Sequence, residues 1–197
     1  GLGYSKTYSI AANTVATSDL LPKAGAQDAR LLSESSGPEN KGIHITSDQP
    51  IVAYAHIYNM SVSGATILFP TNTLGREYYS INFQNRANTV NANAWTYVIA
   101  ADTGTTTVEI IPSQPTLNRA AGVPFIVQLT QGQVYNIMGQ FNNASSGNNH
   151  SGVDLTGTFI RSINTGSGCK KIAVFSATTW SAFDCTTPVA SGGDNLF

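Results

Sequence analysis

Two cysteines, three histidines and a small set of aromatic residues are the side chains of this sequence with the most chemistry to offer. Cys169 and Cys185 lie close together in a polar chain with few charges, which fits a disulfide formed in an oxidising compartment. The bridge would close a loop of roughly 15 residues, worth about 3 kcal/mol in the chain-entropy model. The alternative is a pair of buried thiols. Zinc is not expected, because no paired histidines accompany the cysteines at metal-site spacing. His44 and His56 fall in strand-like segments and His150 in an Asn/Ser loop, none beside a partner motif. Gly-x-Ser-x-Gly and His-Glu-x-x-His are both absent. No catalytic residue and no metal ligand is assigned.

The carboxylates Asp19, Asp28, Asp48, Asp102, Asp154, Asp184 and Asp194 are scattered, with no EF-hand loop among them. Calcium stays open as a cofactor, since loops can gather distant carboxylates. Asp48 and Asp102 are better explained as turn formers. Glycoside hydrolysis requires only that two carboxyl groups meet in space, so a carbohydrate-active enzyme stands as the third-ranked reading.

Aromatic residues are the best contact candidates. Trp180 and Phe183 sit between the cysteines, and a disulfide would hold that loop out at low entropic cost. They could equally fold back as a lid on the core. Tyr54, His56 and Tyr58 share one face of a strand, either as an exposed stripe or packed on a second sheet. Trp95 opens a strand and is expected in the core. Asn59-Met60-Ser61, Asn143-Ala144-Ser145 and Asn149-His150-Ser151 are glycosylation sequons, which matter only in a eukaryotic host.

Strands must position these groups. Period-2 alternation between Gly, Pro and Asn turns predicts strands at 42–46, 51–58, 65–69, 78–83, 95–101, 105–111, 125–129, 133–138, 158–162 and 171–177. Asp102-Thr103-Gly104 and Thr130-Gln131-Gly132 read as hairpin turns. Residues 23–41 are loop with a helical turn at most, over 27–34. Residues 85–93 and 140–152 read as mobile surface loops. Such a series of short strands indicates an antiparallel sandwich or barrel.

Composition narrows the function classes. The 197 residues suffice for one large β domain or two small ones. Charged residues are only 11 % of the chain and the net charge is −1, so the basic footprint of a nucleic-acid binder is missing. No apolar run is long enough for membrane insertion as a helix. The chain starts at Gly1, which reads as a mature or excised segment.

The sequence also echoes itself. Gly42-Ile43-His44-Ile45-Thr46-Ser47 is answered by Gly157-Thr158-Phe159-Ile160-Arg161-Ser162. An aromatic-tipped strand follows each, Ile51-Val52-Ala53-Tyr54 and Ile172-Ala173-Val174-Phe175. A fainter echo links Thr66-Ile67-Leu68-Phe69 to the closing Asp194-Asn195-Leu196-Phe197. These echoes divide the chain into a shorter unit, 1–77, and a sandwich unit, 78–197, with a further repeat beginning at 192–197.

Five segments carry a resemblance. They are Ile45-Thr46-Ser47-Asp48-Gln49-Pro50-Ile51-Val52-Ala53-Tyr54, the run from Phe69-Pro70 through Leu74-Gly75 to Tyr78-Tyr79, Leu129-Thr130-Gln131-Gly132-Gln133-Val134-Tyr135, Asp154 to Ile160, and Gly193-Asp194-Asn195-Leu196. In this order they resemble the amino-terminal domain of the IgGFc-binding protein family, whose bacterial relatives occur in large secreted surface proteins, gliding-motility and adhesion proteins among them. One departure is Ser162-Ile163-Asn164-Thr165-Gly166, where a second Ser-Asp-x-Pro turn would stand. The resemblance implies an extracellular binding role without naming a ligand.

The expectation is an all-β fold of antiparallel β-sandwich units, two related halves packed together. Its function would be a non-catalytic adhesion or binding module, secreted or on the cell surface, that grips a protein or glycan. The alternative is a structural spacer or assembly subunit whose partners are neighbouring repeats or further copies of itself.

Overall fold

The computed structural model of the chain describes residues 2–31, 33–58, 63–87, 89–144, 150–166, 168–181 and 194–196. Among these, the only helical pieces are 3₁₀ turns at Gly25–Gln27, Glu34–Ser36 and Thr71–Thr73. The remaining elements are strands: β1 (Ala53–Tyr58), β2 (Ser63–Leu68), β3 (Glu77–Tyr79), β4 (Asn85–Ala87), β5 (Ala94–Ala100), β6 (Thr105–Ile111), β7 (Phe125–Thr130), β8 (Val134–Met138), β9 (Phe141–Asn142), β10 (His150–Gly152), β11 (Phe159–Ile163), β12 (Ile172–Ser181) and β13 (Asp194–Leu196). All paired neighbours run antiparallel. One four-stranded sheet has the order β3-β11-β6-β7 and the other β13-β12-β5-β8.

The two sheets bury their facing sides. In β5, Ala94, Thr96, Val98 and Ala100 are buried while Trp95, Tyr97 and Ile99 are not. That is the period-2 pattern of a strand with one face on a core. In the same cluster are Val108 and Ile110 of β6, Val127 and Leu129 of β7 and Ile160 of β11 from the other sheet, with Leu155 and with Ile172 of β12 beside β5. Burying such apolar surface stabilises the fold by about 25 cal/mol per Å². Trp95 is not part of this cluster. It stands on the outward face of β5, stacked on Tyr97 at 5.0 Å, and Tyr97 stacks in turn on Phe175 of β12 at 5.2 Å. Burial in this stack pushes the Tyr97 hydroxyl up to about 12.

Both short turns read as hairpins connect different sheets instead. Asp102-Thr103-Gly104 leads from β5 to β6, and Thr130-Gln131-Gly132 from β7 to β8, each crossing from one layer to the other. Both are reversals that need glycine, since Gly104 and Gly132 have positive φ, at 75° and 78°. Turn residues specify a reversal, but not which sheet the returning strand joins. Asp102 likewise does not cap its own turn. Its Oδ2 accepts the Lys171 amide at 2.7 Å, tying the start of β12 to this crossing.

Residues 42–46, expected as a strand, form no ladder, and Ile43 and Ile45 lie exposed. Alternation alone does not make a strand when no neighbouring strand pairs along it. The two segments expected as mobile loops partly zip together instead, with β10 pairing with both β4 and β9.

Candidate functional site

Two surfaces stand out, one on each side of what the sequence could show. The first is the β1–β2 hairpin. Its register pairs Tyr54 with Ile67, His56 with Ala65 and Tyr58 with Ser63, so these six side chains share one face. All six are exposed, while on the other face Ala53, Ala55, Gly64, Thr66 and Leu68 are half-buried and only Ile57 is exposed. Tyr54 and Tyr58 are 67 % and 68 % exposed, and His56 stands 6.0 Å from Tyr58, ring centre to ring centre. Of the two sequence readings for this stripe, the chain by itself adopts the exposed one.

The second surface is a cleft of about 530 Å³ at the side of the sandwich, lined from both sheets and from the 34–38 segment. It exists because the two sheet edges are treated differently. The edge of β8 is covered. Glu39 and Val134 exchange two backbone hydrogen bonds of 2.8 Å, Gly42 donates to Gly132 O at 2.9 Å, and Leu117 donates to Met138 O at 2.9 Å. The edge of β7 is open. Its backbone pairs with β6 on one side and makes no ladder bond on the other among the described residues. No charge and no proline lies within Phe125–Thr130, the usual guards of a free edge.

Glu34 forms the floor of this cleft. Ser33 caps the 3₁₀ turn that carries it, with the Ser33 hydroxyl accepting the Ser35 amide. The residue is 3 % exposed. Its Oε1 accepts from the Thr116 hydroxyl at 3.0 Å, while Oε2 has no hydrogen-bond partner among the described residues. Burial raises the Glu34 pKa. The Thr116 hydroxyl, the amides of Asn118 and Met138 and the Arg119 guanidinium oppose that shift without cancelling it. The same burial, with the Glu34 charge beside it, raises the Tyr135 hydroxyl, and Arg119 pulls it back. Arg119 itself lies 4.6 Å over the Phe125 ring at the cleft mouth. The arrangement offers an acceptor, a cation and an aromatic wall beside unpaired backbone. Those are the parts of a binding site.

The sequence-derived contact residues are only partly placed. Trp180 lies in β12, with no side chain described. Phe183 and Cys185 lie outside the described residues. Cys169 is exposed just before β12. His44 is exposed, and His150 is buried, accepting the Ala144 amide on Nδ1 at 3.1 Å. Among the described residues no three of His, Cys, Asp and Glu come together as a metal site. Also among them, no helix is long and apolar enough to cross a membrane. Glu34, Arg119 and Tyr135 escaped the sequence reading. They lie far apart in the chain and carry no local motif, and only the meeting of the two sheet edges makes them neighbours.

A family model described as IgGFc binding protein matches residues 64–197. No curated protein and no solved structure matches the chain.

Proposed function

Since the chain belongs to the IgGFc-binding protein family, we propose that it is an extracellular adhesion or binding module of a larger secreted or cell-surface protein, holding a protein or glycan ligand without chemical turnover. The observation that carries this reading is the hairpin face of Tyr54, His56, Tyr58 and Ile67. It is an aromatic, apolar surface left open on a chain of nearly neutral charge. Contiguous exposed apolar surface marks interaction sites, and tyrosines supply large contact area at small entropic cost. In this reading Trp180 and Phe183 add to the contact surface from the loop that a Cys169–Cys185 disulfide would stiffen.

The test is a binding screen of the full chain against immobilised extracellular glycoproteins and free glycans. Saturable binding with the ligand recovered chemically unchanged is the expected result. The double variant Tyr54→Ser/Tyr58→Ser should lose about tenfold or more in affinity, at the level of one to two hot-spot side chains, with an unchanged melting temperature. Binding that ignores the double variant, or a ligand that is cleaved, overturns the proposal.

The spacer or assembly reading has its own support in the open edge of β7, which the hairpin face does not explain.

A further inference from the structure

The cleft beside β7 and the amino-terminal arm of the chain have matching needs. Residues 4–11, Tyr4-Ser5-Lys6-Thr7-Tyr8-Ser9-Ile10-Ala11, alternate long side chains with small ones as a strand with one buried face does. Yet the arm buries neither face. Tyr4 is half-buried and residues 5–11 are exposed. Among the described residues, the backbone groups of 4–10 make no hydrogen bond. A turn at Ala11–Thr14 sends the chain back, and what holds the arm there is slight. Lys6 meets Asp19 at 3.4 Å with both groups largely in solvent, and the Tyr8 hydroxyl accepts the Asp19 amide at 3.1 Å. An exposed ion pair of this kind contributes little.

The cleft has the complementary deficits. β7 offers a six-residue open edge. A strand laid on it would continue the sheet, and its inward side chains would enter the space between the sheets, where Tyr135 and Glu34 lie. The Oε2 of Glu34, unpartnered among the described residues, asks for a donor, and Lys6 is the one cation in residues 4–11. Arg119 faces the same carboxylate from the cleft mouth, where it is engaged over Phe125.

We infer that copies of this chain associate by strand addition, residues 4–11 of one copy lying along β7 of another with Lys6 reaching Glu34. The inference does not depend on the ligand reading above, because it uses a different face of the molecule. The contact is heterologous, so it yields reciprocal pairs when two arms exchange and open chains when they do not. Either outcome would make the module self-assembling. That suits an adhesive surface, since linked copies present several ligand faces at once.

The experiment uses the full chain and a labelled synthetic peptide of residues 2–12. Sedimentation velocity from low to high micromolar concentration should show association, and the peptide should bind saturably and dissolve the assemblies. Lys6→Glu in the peptide, and Glu34→Gln in the chain, should each weaken peptide binding about tenfold. Methylating alternate peptide amides along one edge should abolish it. The substitutions on the peptide leave the fold of the chain untouched, so a negative result there is interpretable.

The inference is overturned by equal binding of the N-methylated or Lys6→Glu peptide. It is also overturned by a chain that stays monomeric at every concentration, including one whose arm closes on its own cleft. If glycoprotein binding through Tyr54 and Tyr58 persists in that monomer, the ligand reading stands and self-assembly alone is lost.

Discussion

Replacing Gly42 with alanine tests whether the 34–42 strap builds the cleft wall. The Gly42 amide donates to Gly132 O at 2.9 Å, just beyond the Glu39–Val134 double bridge. A Cβ on Gly42 would overlap the Gly132 carbonyl oxygen and come within 3.0 Å and 3.2 Å of its C and Cα atoms. All three are backbone atoms, so no rotamer change relieves the contact. The strap must lift. One hydrogen bond, about 1 kcal/mol net, is lost outright, and strain on the adjoining pair brings the cost to about 1–3 kcal/mol. For a chain of this size each kcal/mol lowers the melting temperature by about 2–4 °C, so a fall of about 2–12 °C is expected by calorimetry.

Hydrogen exchange localises the effect. The Glu39 and Val134 amides should exchange faster in Gly42→Ala, because their mutual bonds depend on the strap lying flat. Gly37→Ala is the control on the same strap. With φ of 69°, ψ of −156° and nothing within 4 Å of a built Cβ, it carries only the backbone penalty of a conformation that glycine alone adopts readily, about 1–3 kcal/mol, and should leave those two amides protected. A Gly42→Ala variant that melts within about 1 °C of the parent, with Val134 still protected, would refute the strap as the element that seals the β8 edge.

Three further outcomes follow from the same structure. Leu129→Ala empties a fully buried position between the sheets and should cost about 2–5 kcal/mol in urea unfolding; a loss under about 1 kcal/mol would show that the core can collapse there. Glu34 holds its proton more tightly folded than unfolded. Native stability therefore falls as pH rises from the ordinary carboxyl value through the raised one, and the full cost is present at neutral pH. Glu34→Gln removes that titration, so its stability advantage over the parent should be largest at neutral pH and shrink in acid; the opposite trend, read from urea midpoints, would contradict a buried, underpaired carboxylate. Reduction should add the mass of two hydrogens to the intact chain if Cys169 and Cys185 are bridged, and an unchanged mass would remove the disulfide that the Trp180–Phe183 loop reading relies on.

Much of the molecule was written in its local sequence. Period-2 alternation located β5, β6, β7, β8, β11 and β12 to within a few residues, because a strand with one buried face must repeat every second side chain. The same rule put Tyr54, His56 and Tyr58 on one face of β1. Gly104 and Gly132 marked reversals, since positive φ is cheap only for glycine. None of these signals states which strand lies next to which. Tertiary structure decided that both reversals cross between sheets, and that the 42–46 segment, patterned like β11, joins no ladder. It also decided that β8 is covered while β7 is left open, so that Glu34, Thr116, Arg119 and Tyr135 meet in one cleft. Alternation is a property of one strand and its own side chains. A sheet edge, a buried carboxylate without a partner and a cleft are properties of how distant strands are stacked, and they take form only when the layers close.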